Sequence, residues 1–403
     1  MNQPKQLHIL LVGKFSTNPA VYTYPSSFIP AFESAGALVS TFNLAINTFP
    51  WIEKICFRLG KFGAFIATHL LNKRLIDMTQ KIRPDILFII KGTQITASTL
   101  RTIKKMNQQI QIIHFYPDNP FCFWNGNSNA QVLNTLPYID LFLIWSKQLI
   151  PILESAGCHR VAYFPFAFDP TLYYPSPTYS EISLLKNRMD PGALPGMTKT
   201  RNSSPPVIPG RAPESRAFLS INTNERSGTF TSDVAFIGTW DREREALLLA
   251  IIKAIPTINL AIWGNRWHEH LPTQSPLHAY IRGKAIYKET LLKAFAATKI
   301  VLNFMRPQNL QAHNMRTFET LATGSFLLTQ KTEEQTQFPF IEDFNIACFV
   351  DAEDLVKKIA FYVNQDSLRK VVALRGLALA QEFTLQAQVQ SLLTTLAESG
   401  KSS

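Results

Sequence analysis

The chain has 403 residues, 46% apolar and 17% charged, with a formal net charge of +11. That length suits two ordinary domains with a large core, and that balance excludes a disordered or fibrous chain. No apolar run is long enough to cross a bilayer, and Cys56, Cys122, Cys158 and Cys348 form no C-x-x-C pair, which argues against zinc or a disulfide framework and fits a reducing cytoplasm.

The first six residues lead directly into the apolar run 7–12, without the signal-peptide order of basic, apolar and small-residue regions. Strands are expected at 7–12, 85–90, 111–115, 141–144 and 161–164, and helices at 25–35, 52–81, 97–106 and 147–156. Near-continuous apolar strands separated by helices indicate a parallel sheet covered on both faces. The stretch 51–81 carries Lys54, Phe57, Arg58, Lys61, Phe62, Lys73 and Arg74. It reads either as a helix on its own domain with solvated basic residues or as a peripheral membrane contact. From 175 to 231 the composition turns to Pro, Ser, Asn, Gly and Arg, which marks an insertion or linker. Alternation resumes with strands at 234–237, 260–263, 300–303, 326–329 and 347–350. Helices are expected at 242–255, 288–297, 314–323 and 352–362, and from 367 to the end. The domains are therefore 1–174 and 232–384, with a C-terminal helix, 385–403, free to pack back on the first. Ligands of such sheets bind beyond the carboxyl ends of the strands, so the cleft between the two units is the expected site.

The segment from His313 to Leu328 reads as loop, helix, glycine turn and strand. Asn314 stands at the N-cap, so the free N–H groups of the first turn form an anion site, to which Arg316 adds a fork of donors. Thr317 follows in the same turn. Glu319 lies three residues beyond Arg316 on the same face and offers an acceptor for ribose hydroxyls. The plain alternative is a solvated Arg316–Glu319 pair.

Other motifs extend the pattern. Asp233 to Trp240 opens the second unit, and its Gly238-Thr239 turn exposes N–H groups to phosphate. Ile300 to Asn303 precedes the loop that holds Arg306, and Thr332-Glu333-Glu334 follows the next strand. The first unit carries Lys91-Gly92, Pro117 to Pro120 and Pro165 to Pro170. Together these resemble the GT-B glycosyltransferases, and more closely the CgeB-like, spore-maturation-type members. The resemblance spans nearly all of the chain outside 175–231. It implies an α/β fold of two Rossmann-like parallel-sheet domains facing each other across a cleft. It also implies sugar transfer from a nucleotide sugar, of the uridine type, held mainly by the second domain. Many retaining GT-B enzymes carry two glutamates eight positions apart. Glu319 matches the second, whereas the first position is Gln311, which leaves open whether transfer retains or inverts the anomeric centre. His313 and Asn314 are the residues available to take over part of that contact.

Asp118, with His114 behind it, is the expected base for the acceptor proton, against a plain Asx turn between prolines. Gly13, Lys14 and Lys91 are the acceptor-side residues, though strand-ending turns explain them equally. Arg242 and Arg244 are expected to pair with Glu243 and Glu245 or with solvent. Trp263 to Trp267 reads either as an aromatic wall or as packing. No D-x-D or zinc pattern appears, so no metal and no cofactor beyond the nucleotide sugar is expected. The expected acceptor is a glycan, lipid or protein. Nucleic acid is not expected, because the positive charges are scattered. The alternatives are a nucleotide-sugar epimerase on the same fold and a non-catalytic polyanion binder.

Overall fold

The computed structural model describes residues 6–16, 23–45, 50–123, 127–175, 230–309, 311–337 and 339–399, with the backbone alone at 50–62 and 399. Most of the Pro-rich segment expected at 175–231 lies outside the described residues, as do the side chains of Lys54, Phe57, Arg58, Lys61 and Phe62.

The first lobe alternates strands with helices: β1 (His8–Gly13), α1 (Phe28–Ser34), β2 (Leu38–Asn43), α2 (Pro50–Ile82), β3 (Ile86–Ile90), α3 (Ala97–Met106), β4 (Gln111–Tyr116), α4 (Ala130–Thr135), β5 (Leu141–Ile144), α5 (Leu149–Ser155) and β6 (Val161–Tyr163). Its strands pair in the order β2-β1-β3-β4-β5-β6, all parallel. Every residue of β3 is buried, as a strand covered on both faces requires. β2 was not anticipated. It is an edge strand, half-polar and only partly buried, so it lacks the apolar run that marks its neighbours.

The second lobe contains β7 (Ser232–Ile237), α6 (Arg242–Ala254), β8 (Leu260–Trp263), α7 (Trp267–His270), β9 (Ile281–Gly283), α8 (Lys288–Ala296), β10 (Thr298–Asn303), α9 (Met315–Ala322), β11 (Leu327–Gln330), β12 (Ala347–Phe349), α10 (Ala352–Tyr362), α11 (Asp366–Ala380) and α12 (Leu385–Ser399). The sheet order is β12-β11-β10-β7-β8-β9. Side chains of β7 alternate between two cores. Val234 and Phe236 face one, and Ala235 and Ile237 face another that continues into the first lobe.

In the helical region from residue 367 onward, α11 ends at Ala380 and the chain extends at Thr384 before α12. The break lets the chain cross between lobes. Phe168 donates its N–H to Phe383 O (3.1 Å) and accepts from Leu385 N–H (2.9 Å). α12 then packs on α1.

Each sheet has one point where strand order reverses, between β1 and β3 in the first lobe and between β7 and β10 in the second. Turns leaving those strands diverge and leave a crevice.

Candidate active site between the lobes

The second lobe's crevice is built by the turns after β7 and β10 and by the start of α9. Gly238 follows β7, and its N–H donates to Trp263 O at 2.8 Å. Trp267 Nε1 donates to Gly238 O at 2.9 Å. A Cβ on Gly264 would lie 1.8 Å from Gly238 O, so the two strand-end turns touch backbone to backbone and only glycine fits there. Trp263 and Trp267 are buried, so these aromatics brace the Gly238 turn from behind and form no wall for a ligand.

Asn314 is the N-cap of α9, accepting from Thr317 N–H at 3.2 Å. Its amide also pairs reciprocally with Asn303, at 3.0 and 2.9 Å. Asn303 is held further by Thr317 Oγ1 and Thr329 Oγ1. The cap is thus fixed from β10 and β11, and the first free N–H groups of α9 face outward beside it. Glu319 is buried to 5% exposure. Its Oε2 lies 3.1 Å from Arg316 Nη1, close enough for ionic attraction but not aligned for a hydrogen bond.

These elements line a cavity of about 500 Å³. Gly238, Thr239, Arg306, Asn314, Arg316 and Glu319, named from the sequence, all border it. So does Arg244, against the expectation that it pairs with acids or solvent. Its Nη1 donates to Thr239 O at 2.9 Å, its guanidinium lies 5.4 Å from the Phe236 ring centre, and its buried Nε has no partner. Burial, then the neighbouring Arg306 and Arg316, push Arg244 down to about 10, so it remains a cation at neutral pH. Arg306 likewise has a buried, unpartnered Nε. Three arginines against one glutamate give this cavity a surplus of two positive charges. A second cavity, of about 210 Å³, adjoins the start of β10 and α11; there Arg369 bonds Asp366 and Lys299 pairs with Asp233, and Lys370 also borders it.

Other residues named from the sequence fall elsewhere. His313 and Thr317 are buried behind the cavity wall. His313 packs on Phe340 (4.5 Å) and Phe318 (5.5 Å) and does not reach the cavity. Burial, then the Lys147 charge, lower it to about 4, opposed by a backbone hydrogen bond at Glu334. Gln311 has turned away to hold the next loop, its side-chain oxygen accepting from Glu333 N–H at 3.1 Å.

In the first lobe, His114 is 2% exposed, and burial lowers it to about 4, opposed by its hydrogen bond to Lys91 O. It sits in the sheet against Phe142 and Tyr116 rather than at the cavity, which corrects its expected place behind the base. Its Nε2 lies 3.1 Å from Lys91 O and braces that turn. Asp118 is not a cavity wall either; it forms a 2.6 Å ion pair with Lys91, whose backbone is left-handed at φ 65°. This strained pair stands at the carboxyl ends of β3 and β4. Gly13 packs against Pro25, where a Cβ would come within 2.8 Å, and Lys14 is exposed. Neither borders the cavity. The first lobe contributes instead Tyr24, Phe166 and Tyr173. Lobe-spanning placement of this kind leaves no local signal in sequence.

Among the described residues, no group of three His, Cys, Asp or Glu is placed to hold a metal, and no helix is long and apolar enough to cross a membrane. A family model described as glycosyl transferase-like matches residues 242–394, which include the β7 turn's following helix, the Arg306 loop and all of α9. The chain has the GT-B fold and is a glycosyltransferase by its C-terminal domain. Solved GT-B structures overlay along the whole length. A sucrose-phosphate synthase from Thermosynechococcus elongatus gives a TM-score of 0.64 at 14% identity, covering 99% of this chain and 100% of that one. Anabaena HepE in complex with UDP-glucose gives 0.60 at 14% identity, covering 98% and 100%. A trehalose 6-phosphate synthase from Burkholderia multivorans gives 0.56 at 9%, covering 98% of each chain. No curated protein matches the sequence. In this GT-B fold the cavity lies where the carboxyl ends of the second sheet meet the first lobe.

Proposed function

We propose that this glycosyltransferase, of the CgeB-like kind, moves a sugar from a uridine diphosphate sugar to an acceptor hydroxyl, in the cytoplasm. The carrying observation is the cavity's surplus of two positive charges, set by Arg244, Arg306 and Arg316 around one buried glutamate. A diphosphate ester carries two negative charges, so the match neutralises it. The buried N–H groups of Arg244, Arg306 and Arg316 that have no partner in the chain then find acceptors on the ligand. The uridine assignment draws on the HepE complex, whose bound ligand is UDP-glucose.

The α9 amino end and the three guanidinium groups meet the charge that develops on the leaving diphosphate, supplying the compensation that a metal ion gives elsewhere. Glu319 accepts from ribose hydroxyls. Tyr287, half-exposed on the cavity rim beside Leu291, offers an apolar face to the base. The Lys91–Asp118 pair, at the carboxyl ends of β3 and β4 and outside the cavity lining, is the acceptor-side candidate, with Asp118 as the base.

Calorimetry with UDP and UDP-glucose tests the reading. Wild type binds, and Arg316→Ala and Glu319→Ala each weaken binding by about tenfold or more. Undiminished binding in both variants defeats the assignment.

A further inference from the structure

The cavity wall contributed by the first lobe is aromatic, and one of its polar atoms is left over. Tyr24 opens a 3-10 turn, Tyr24–Ser27, closed by Ser26 N–H to Thr23 O at 2.9 Å and by the Thr23 and Ser26 hydroxyls at 2.6 Å. Its ring is wedged against Phe28 (5.4 Å, edge-on), Phe115 (6.1 Å) and Phe166 (6.4 Å). Gly13 presses on the adjacent Pro25, which leaves the turn no room to shift toward β1. The ring is therefore fixed at the cavity wall, and its hydroxyl is buried beside the Ala167 amide, with no acceptor for its proton.

We propose that the Tyr24 hydroxyl is the first lobe's hydrogen-bond donor to the bound nucleotide, so that donor capture and lobe apposition occur together. The proposal rests on the reading of the cavity as a nucleotide-sugar site. Burial pushes the phenol above its usual range; the Ala167 amide opposes this and the Glu319 carboxylate across the cleft adds to it, so the proton stays on oxygen and is available to donate. Glu319 faces Arg316, which leaves a ligand oxygen as the acceptor that completes the hydroxyl. A buried hydroxyl whose proton has no acceptor carries a cost that a bound acceptor removes. The donor is then gripped from both sides, by α9 and the arginines on one lobe and by Tyr24 on the other.

Tyr24→Phe keeps the ring and removes only the oxygen. Isothermal titration with UDP should show Kd raised about three- to tenfold. The melting midpoint without nucleotide should stay at or above the wild-type value. A merely structural hydroxyl would instead lower that midpoint and leave Kd alone, and that result overturns the proposal. Wild-type affinity in Tyr24→Phe, beside lost affinity in Arg316→Ala, overturns it while sparing the site. Absence of UDP binding in the wild-type protein overturns both.

Discussion

Two histidines illustrate how far a residue's chemistry depends on what covers it. His114 and His313 both stand in polar, site-like stretches of sequence, yet both are buried and both are lowered to about 4, burial being the first cause. Neither Nδ1 has a partner. As pH falls through about 6.5, the unfolded chain takes up these protons and the folded chain does not. Stability is therefore full above about pH 6.5 and is lost progressively down to about pH 4, by about 3 kcal/mol for each ring. Chemical denaturation between pH 7 and pH 4 should show this slope. His313→Phe, an aromatic among Phe318 and Phe340, should flatten it by roughly half; an unaltered slope would mean His313 does not titrate on unfolding. Arg244 fails in the opposite direction. Its sequence neighbours, Glu243 and Glu245, suggest a surface pair, but Glu245 is taken by Trp240 Nε1 at 2.8 Å and the guanidinium folds back under Thr239. Spacing along a helix is legible. Which rim of the helix closes on a crevice is set by the sheet beneath it.

Among the elements, α9 was legible because its signals are local: a capping Asn, an i,i+3 charge pair and a glycine after the last turn, with Gly324 at φ 71°. β2 was not, since its partner lies on one side only and Ser40, Thr41 and Asn43 break its apolar run. The break before α12 falls where the C-terminal helix was expected to start, at residue 385, and the crossing between lobes requires an extended residue at Thr384. The contact between the β7 and β8 turns is a second feature invisible to local reading. It yields a prediction: Gly264→Ala forces the two turns apart, because the new methyl would meet the Gly238 carbonyl, backbone that has no rotamer to yield. A loss of about 1–3 kcal/mol of stability is expected. Nucleotide affinity should fall as well, since Gly238 borders the cavity while Gly264 does not. Denaturant melts and UDP titrations on the same preparation check both parts. Lost stability with full affinity would show that the displaced turn does not touch the ligand.

At the scale of the molecule, the two lobes and the crevice between them follow from the alternation of apolar strands and helices, which no distant contact is needed to read. The bonds that hold the lobes in register are different, for they join residues up to 190 positions apart. Glu334 is their hub. It is 6% exposed, accepts from Lys147 N–H and from the Tyr163 hydroxyl, both at 3.1 Å, and belongs to the loop that Gln311 clasps just ahead of α9. Lys147 Nζ reaches Gln337 at 3.1 Å, and Asn127 reaches Gln308 on the other flank. Burial raises the Glu334 carboxyl, so its charged form is retained at some cost, offset by those two donors. Glu334→Ala removes the shared acceptor and leaves a phenol and a backbone amide of the first lobe unsatisfied, for a loss of about 1–3 kcal/mol. The chain crossing at Thr384 and its hydrogen bonds with Phe168 remain, so the lobes should swing rather than separate. Small-angle scattering of the variant should give a larger radius of gyration than wild type without ligand, and saturating UDP-glucose should bring it back. Glu334→Gln, which keeps one acceptor oxygen, should fall between the two. An Ala variant with wild-type radius and stability would show that the aromatic contacts of Phe318 and Phe340 with Phe383 at the crossing suffice to set the lobe angle.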